Sequence, residues 1–252
     1  MNIVELTGGL GNQLYQYAFG EAQREAGAFI AYNRFWFEKN GEKRPYMLDK
    51  FQIPCIYFSD YKQHIIEDDG KYNPILMTLR DCNFRGLWQY FDYSKSILSV
   101  LQRTLQVKEQ FYTEEYIKLR TQAENESITA VHVRRGDFIK QKCILVPLSY
   151  YNDAVELTEG DIFIFSDDLE WCARNFKFPR RNMIFVDLKD YLCFDLMRRC
   201  RYQIIANSTF SRFSAYLNDT QDKVIITPVV PSKDNAIHYH RINKLPEEWH
   251  RL

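Results

Sequence analysis

The second half of the chain alternates short apolar segments with helical ones, and this alternation constrains the fold more than any other feature. The apolar segments are rich in β-branched and aromatic residues and lie at 128–133, 161–165, 182–186, 202–206 and 223–227. Segments with apolar residues at helical spacing separate them, at 149–157, 169–176, 191–200 and 209–217. Ser149 is placed to be the N-cap of the first of these helices. Strands that alternate with helices are typical of a parallel, doubly wound sheet.

The first residues predict a second unit of the same kind. NIVEL (2–6) has the composition of a strand, and the glycines of TGGLGNQ (7–13) let the backbone turn tightly after it. A stripe of apolar residues at helical spacing follows and should end near Gly27, where a helix C-cap belongs. Residues 28–32 have the composition of the next strand, so the chain opens with a βαβ unit.

The middle of the chain is less regular. Residues 33–90 mix aromatic, charged and proline residues without a clean period, which predicts short helices and loops. Residues 94–123 have a helical pattern, and ENES (124–127) interrupts it before the next strand. The sequence therefore predicts an N-terminal domain over 1–125 and a C-terminal Rossmann-like domain over 126–252.

The charge balance and the absence of targeting signals restrict the class of partner. The 252 residues include 33 Lys and Arg and 33 Asp and Glu, so the formal net charge is zero. This balance gives no sign of a nucleic acid partner. We find no signal peptide, no membrane-spanning run and no metal-like cysteine spacing, so we expect a cytoplasmic protein with reduced cysteines and no transmembrane segment. Peripheral membrane association stays open.

Polar residues follow the predicted strands of the second half at the point where each strand ends. They are Arg134, Arg135 and Asp137 after the first strand, Ser166, Asp167 and Asp168 after the second, Asp187 after the third, and Asn207, Ser208, Thr209 and Ser211 after the fourth. In an open parallel sheet these strand ends lie on one edge, which is where ligands bind. We therefore expect the four groups to form one binding site.

Each group has chemistry suited to an anionic ligand rich in hydroxyls. One of Arg134 and Arg135 could bind a phosphate while the other pairs with a carboxylate, and the alternative is that both form internal ion pairs. The helix start in NSTFS offers either an anion site or a plain N-cap. The carboxylates of Asp167, Asp168 and Asp195 suit sugar hydroxyls or the donor edge of guanine, and helix capping competes for Asp168.

The glycine-rich loop near the N-terminus does not match the common phosphate-binding loops. Leu14 stands where the GxGxxG pattern has its third glycine, and no GK[ST] follows. A dinucleotide site and a P-loop are therefore disfavoured. We expect the loop to bring its backbone and Asn12 close to a ligand in a cleft between the domains.

Five motifs occur along the chain: GGLGNQLYQYAFG (8–20), GLWQ (86–89), HVRRGDF (132–138), FSDDLEWC (165–172) and IIANSTFS (204–211). Together they resemble the bacterial α-1,2-fucosyltransferases of glycosyltransferase family 11. The resemblance implies a GT-B-like α/β fold, with two Rossmann-like domains facing across a cleft. It also implies transfer of fucose, with inversion, from GDP-β-L-fucose to the 2-hydroxyl of a galactose-terminated oligosaccharide, without a metal or other cofactor.

The same resemblance indicates which residues form the site. Arg134 matches the arginine that contacts the donor diphosphate; His132 and Asp137 are candidates for a general base, although Asp137 could instead hold the arginines in place. The expected donor site consists of Arg134, Asp168, Asp195, Asn207, Ser208, Thr209, Phe210 and Ser211. The expected acceptor side, in the N-terminal domain, consists of Gly9, Gly11, Asn12, Gln13, Trp88 and Gln89. For Trp88 the alternative is a core residue.

Two places depart from the family pattern. Arg212 and Phe213 stand where many members have two tryptophans, and Cys193 stands where many have an acidic residue, the nearest acid being Asp195. Two other functions stay open, and the departures favour the second of them. One is transfer of a different nucleotide sugar on the same scaffold, and the other is binding of a sugar nucleotide without catalysis.

Overall fold

The computed structural model describes residues 1–58, 64–229 and 245–252. The chain divides into two compact units, the first formed by Met1–Lys108 and the second by the described residues of 109–229 and 245–252. Each unit is built on its own sheet of parallel strands with helices between them. The α/β class that the sequence predicts is therefore confirmed.

The sheet of the first unit has four parallel strands in the order β2-β1-β4-β3. They are β1 (Asn2–Glu5), β2 (Ile30–Asn33), β3 (His64–Glu67) and β4 (Cys82–Arg85). The long helix α1 (Leu10–Glu25) joins β1 to β2, which confirms the predicted βαβ unit. The shorter helices of this unit are α2 (Trp36–Asn40), α3 (Phe91–Ser94) and α4 (Leu98–Thr104).

The sequence does not predict β3 or β4, and the reason lies in their composition. β3 is an edge strand with three of its four residues exposed, so it has no need of an apolar face. β4 places polar Asn83 and charged Arg85 in a central position of the sheet. Neither segment has the apolar run or the clean alternation that marks a strand in sequence.

The sheet of the second unit has six parallel strands in the order β10-β9-β8-β5-β6-β7. They are β5 (Ile128–Val133), β6 (Asp161–Ser166), β7 (Met183–Phe185), β8 (Tyr202–Ile204), β9 (Val224–Thr227) and β10 (His250–Arg251). The first five confirm the predicted strands. The strand order reverses between β5 and β8, as in a Rossmann fold.

The helices of the second unit follow the predicted alternation. They are α5 (Glu114–Asn125), α6 (Gly136–Lys140), α7 (Leu148–Val155), α8 (Leu169–Asn175), α9 (Asp190–Met197) and α10 (Thr209–Leu217). The N-cap of α7 is Pro147, so Ser149 lies inside the helix and the predicted cap is wrong. Within the described ranges, no helix has both the length and the apolarity that a membrane span needs.

The predicted continuous helix over 94–123 is also wrong. The backbone leaves the helical conformation after α4 and becomes extended, so that Val107 forms an antiparallel bridge with Phe51. Two backbone hydrogen bonds flank this bridge, and both side chains are fully buried. The helix resumes at α5, where the Thr113 side chain accepts a hydrogen bond from the Tyr116 amide. Burial of Val107 in the core thus overrides the local helical pattern.

The division between the units lies after Lys108, whereas the sequence predicts it after residue 125. The intervening helix α5 packs on α9 of the second unit. The hydroxyl of Tyr116 donates to Asp195, and Arg199 pairs with Glu124 at 2.9 Å. These contacts explain why α5 belongs to the second unit.

Candidate functional site

In each sheet, two loops meet at the carboxyl ends of the strands where the strand order reverses. In the second unit these loops follow β5 and β8, which are adjacent and parallel. The ring of His132, near the end of β5, lies 5.4 Å from the ring of Phe210, in the first turn of α10. The predicted HVRRGD and NSTFS groups are therefore brought together at the place where ligands bind in open parallel sheets.

Arg134 is held by two carboxylates from different loops. Its Nη2 lies 2.6 Å from Oδ1 of Asp137, and its Nη1 lies 2.8 Å from Oδ2 of Asp167. The ring of Phe138 lies 5.6 Å below the guanidinium carbon. The side chain keeps 22% of its surface exposed. The guanidinium is therefore fixed in direction but still accessible to solvent.

Arg135 is held in a different way. Its Nε lies 3.2 Å from Oδ2 of Asp168, and its guanidinium carbon lies 3.8 Å from the centre of the Trp171 ring. This is the close stacking expected of a cation on an aromatic face. The predicted internal pairing of the second arginine is thus found. Arg134 is paired as well, so the structure agrees with the alternative in which both arginines form ion pairs.

Asp167 links the two arginines and was given no such role by the sequence. Its Oδ2 pairs with Arg134, and its Oδ1 accepts the backbone N–H of Arg135 at 2.8 Å. Gly136 permits this approach, because a Cβ there would lie 2.7 Å from Oδ2 of Asp167. The glycine of the HVRRGD motif therefore makes room for the carboxylate that orients Arg134. The only signal in sequence was an acidic pair directly after the neighbouring strand.

His132 is buried, and the structure argues against it as a general base. Burial, followed by the nearby positive charge of Arg134, lowers the pKa of His132 to about 3. Its Nδ1 is buried and has no hydrogen-bond partner among the residues that the structure describes. A side chain with this pKa is neutral at pH 7 but accepts a proton too weakly for efficient base catalysis.

The predicted donor residues after β8 have different environments. Asn207 is buried and its side chain donates to the Ile144 carbonyl at 2.9 Å, whereas Thr209 and Phe210 are partly exposed. Ser208 is the N-cap of α10, without a side-chain capping bond. Ser211 is fully buried and its hydroxyl points toward two backbone carbonyls of its own turn, which argues against the predicted contact of its side chain with a donor.

The two remaining donor carboxylates are engaged in structural contacts. Asp168 is the N-cap of α8 and accepts the Trp171 amide at 3.1 Å, as the capping alternative expected. Asp195 is fully buried. It accepts a hydrogen bond from Tyr116 and lies 2.9 Å from Nε of Arg199. These contacts engage the carboxylate inside the unit and argue against the prediction that Asp195 contacts guanine.

In the first unit, the loops after β1 and β4 meet in the same way. The side chain of Gln16 accepts the Thr7 amide and donates to the Gly86 carbonyl, both at 2.9 Å. Asn12 and Gln89 join the two loops, with Nε2 of Gln89 donating to Oδ1 of Asn12 at 2.9 Å. Two motifs that are far apart in sequence thus form one polar edge.

Only some of the predicted acceptor residues are accessible on this edge. Gly9, which is the N-cap of α1, and Asn12 are partly exposed, while Gly11 and Gln89 are buried. Gln13 is fully buried, and its amide contacts the backbone of Gly8, Pro45 and Met47. These contacts argue against the predicted ligand contact of Gln13. Its side chain instead fixes the glycine loop.

Trp88 is a core residue, as the alternative for it expected, and its burial argues against the predicted contact with an acceptor. It is 1% exposed and stacks on Phe19, with ring centres 4.4 Å apart and an angle of 8° between the ring planes. Phe84 and Tyr93 pack against its edges. The aromatic residue of the GLWQ motif therefore anchors the loop through its packing in the core.

The acidic residues that the structure describes are not grouped for metal binding. In the part of the chain that the structure describes, no cluster of three His, Cys, Asp or Glu residues is arranged to hold a metal ion. Asp137 and Asp167, which both lie at the strand ends, are paired with Arg134. Metal-independent activity stays a prediction.

Comparison with known proteins identifies the family of this chain. The model of glycosyl transferase family 11 matches residues 1–251. The chain is 26% identical to the O-antigen biosynthesis glycosyltransferase WbnK of Escherichia coli, over 88% of this chain and 92% of that protein. It is 25% identical to an alpha-1,2-colitosyltransferase of Escherichia coli, over 99% of this chain and 98% of that protein.

Solved structures share the fold. NodZ alpha-1,6-fucosyltransferase soaked with GDP-fucose gives a TM-score of 0.53 at 15% identity, covering 86% of this chain and 91% of that one. The fucosyltransferase NodZ from Bradyrhizobium gives 0.52 at 13% identity, covering 85% and 92%. At this identity the likeness concerns the fold alone. It confirms the predicted GT-B-like class.

Proposed function

The chain belongs to glycosyl transferase family 11, and from this premise we propose that it transfers L-fucose from GDP-β-L-fucose to the 2-hydroxyl of a galactose-terminated oligosaccharide. The proposal includes inversion at the anomeric carbon, independence of metal ions and a cytoplasmic location. The observation that carries it is the setting of Arg134, a partly exposed guanidinium at the strand reversal of the second sheet. A sugar nucleotide would present its diphosphate there.

The proposed chemistry requires a cation at this position. The bond between fucose C1 and the β-phosphate oxygen breaks, and C1 forms a bond to the acceptor oxygen through an oxocarbenium-like transition state. Negative charge grows on the departing phosphate, where a preorganised guanidinium stabilises it most. Asp137 is engaged by Arg134 at 2.6 Å, which favours its arginine-holding role over base catalysis. With His132 a weak base, first-unit groups are the remaining candidates for accepting the proton.

The net charge of the two arginines and their carboxylate partners affects how the donor can bind. The two guanidinium groups of Arg134 and Arg135 face three carboxylates, those of Asp137, Asp167 and Asp168, so the five groups sum to −1. A diphosphate adds more negative charge. We expect Arg134 to turn part of its N–H fork from a carboxylate toward the phosphates when the donor binds, because a guanidinium can serve two anions at once.

Transfer of colitose is a second candidate, and a specific comparison favours it. The relative named as an alpha-1,2-colitosyltransferase aligns with 99% of this chain. Colitose is L-fucose without the 3-hydroxyl. The GDP derivatives of the two sugars therefore need the same diphosphate site and differ only in the pocket required around the sugar ring.

One transfer experiment separates these functions. The purified protein is incubated with lactose and, in turn, GDP-fucose, GDP-colitose and UDP-galactose as a mismatched control. Product is detected by mass spectrometry, and its linkage and anomeric configuration are assigned by NMR. An α-1,2-fucosyl product supports the proposal, and a larger kcat/KM with GDP-colitose favours the second candidate. Product from UDP-galactose alone would contradict both.

Two additional arms test the remaining parts of the proposal. Calorimetric titration with GDP, UDP and ADP measures whether the site prefers guanine. Binding of GDP without any turnover on lactose or on other galactosides would indicate a sugar-nucleotide binder without catalysis. We expect full activity in EDTA, and a loss that Mg²⁺ or Mn²⁺ restores would contradict metal independence.

A further inference from the structure

The turn that carries the GLWQ motif has an unusual backbone. Trp88 has a φ of 52°, in the left-handed region that bulky side chains rarely adopt. Gly86, two residues earlier, has a φ of 150°. Residues held in such conformations cluster at functional sites, provided that the surroundings fix them. Something in the first unit must therefore hold this turn.

Asp68, which directly follows β3, is the side chain that holds it. Its Oδ2 accepts both the Leu87 amide at 3.1 Å and the Trp88 amide at 3.0 Å. Its Oδ1 accepts the Gly70 amide at 2.9 Å, and its own amide donates to the Arg85 carbonyl. A single carboxylate thus fixes two consecutive N–H groups of the strained turn.

The fit between Asp68 and the turn is close. A Cβ at Gly86 would lie 2.1 Å from Cβ of Asp68, so only glycine allows the two segments to approach this far. The ring of Trp88 then stacks on Phe19 of α1. The backbone at Trp88 leads directly to Gln89, whose amide group donates to Asn12 on the neighbouring loop. The position of the Asn12–Gln89 pair therefore depends on the turn that Asp68 fixes.

From this geometry we propose that Asp68 is a positioning residue for transfer, acting through the turn of residues 86–88 on the Asn12–Gln89 pair. The inference rests on the proposed function, in which this pair belongs to the acceptor side. Asp68 itself touches neither substrate. Loss of its carboxylate lets the turn relax from the left-handed conformation, and a displacement of about 1 Å in a positioning group can cost about a hundredfold in rate.

The test compares Asp68→Ala with Asp68→Asn and a matched control, Asp69→Ala. Asp69 is the adjacent carboxylate, is exposed, and accepts only the Lys71 amide among the hydrogen bonds described for it. We expect Asp68→Ala to lower kcat/KM for the acceptor by about tenfold or more, with the Kd for GDP within about twofold of wild type. Asp68→Asn keeps one oxygen that can accept both amides, so it should recover part of the loss. Asp69→Ala should behave as wild type.

A spectroscopic readout separates positioning from a general loss of stability. The protein has four tryptophans, and labelling with 5-fluorotryptophan gives each a fluorine NMR resonance. Trp88 is assigned by comparison with Trp88→Phe. In Asp68→Ala the Trp88 resonance should shift or broaden while the other three stay in place. If Asp68→Ala does not fold, the same measurements on Asp68→Asn decide the question.

Four results would overturn the inference, and they differ in what else they affect. Wild-type kcat/KM in a folded Asp68→Ala variant would overturn it and leave the proposed function standing. So would an unchanged Trp88 resonance, or a loss of GDP affinity as large as the loss of kcat/KM. A wild-type protein without transfer activity on any donor would overturn the proposed function, and this inference with it.

Discussion

Arg134 is the single residue on which the proposed reaction depends most. One guanidinium contacts Asp137 and Asp167 from two different loops and, in the proposed reaction, the donor diphosphate as well. A lysine keeps the charge but has no planar fork with which to serve several anions in fixed directions. The shape of the charged group therefore matters as much as its sign.

We expect both Arg134→Ala and Arg134→Lys to lower kcat by about a hundredfold or more, since one preorganised donor to developing charge is lost. The matched control is Arg174→Lys, because Arg174 is exposed and pairs with Glu170 on the outer side of α8. Steady-state kinetics and melting temperature are measured together. A folded Arg134→Lys variant with most of its activity would contradict the assigned role.

His132 gives a second residue-scale prediction, on stability. Its pKa falls from 6.5 to about 3 in the folded protein, so the unfolded chain binds the proton more readily. Stability from this group is present above pH 6.5 and is lost as the pH falls toward 3. By pH 5 the loss reaches about 2 kcal/mol. Urea unfolding at pH 7.5 and pH 5 should show this loss in wild type and a smaller one in His132→Gln; equal losses would contradict the prediction.

At the scale of elements, the sequence predicts the second unit well and the first unit poorly. Strands such as β5 and β6 are buried on both faces, so each is a continuous apolar run that sequence patterns detect. β3 and β4 lack such runs, and the break before α5 depends on burial of Val107 against a distant segment. The Arg134 site was predicted because it follows a strand end. The burial of Asp195, Ser211 and Gln13 was not, because packing partners distant in sequence decide it.

The prediction at the scale of elements concerns the contact between α5 and α9. Asp195 accepts from Tyr116 and faces Arg198 and Arg199, and Arg198 is itself almost fully buried. Asp195→Ala leaves that positive charge without its buried partner, which costs about 3–5 kcal/mol of unfolding free energy. Tyr116→Phe keeps the ion pairs and removes only one hydrogen bond to Asp195, so it should lower the unfolding free energy by about 1.5–3 kcal/mol.

The control for this pair is Asp153→Ala, an exposed aspartate on α7, which should change stability by less than about 0.5 kcal/mol. Chemical denaturation supplies the unfolding free energies, and calorimetry supplies the Kd for GDP. Folded Asp195→Ala protein should bind GDP nearly as well as wild type. A variant of normal stability that no longer binds GDP would restore the guanine-contacting role that burial argues against.

At the scale of the whole molecule, the two units offer different chemistry at their strand reversals. The second unit presents guanidinium groups set among carboxylates, and the first presents amides and glycine backbone. Cationic groups suit a diphosphate, while amides suit the hydroxyls of a neutral sugar. In the proposed reaction the donor therefore binds to the second unit, and the acceptor contacts the first.

This division predicts that substitutions in the two units change different parameters, the acceptor kinetics in one case and GDP affinity in the other. Asn12→Ala should raise the acceptor KM or lower kcat and leave the Kd for GDP within about twofold, because it removes an amide from the acceptor side only. Arg134→Ala should weaken GDP binding even when no acceptor is present, because the lost guanidinium contacts the diphosphate of the free donor. Trp88 is unsuitable for the comparison, since its replacement would empty part of the core. If a folded Asn12→Ala variant lost GDP affinity as severely as Arg134→Ala, both substrates would depend on the same groups and the division would be wrong.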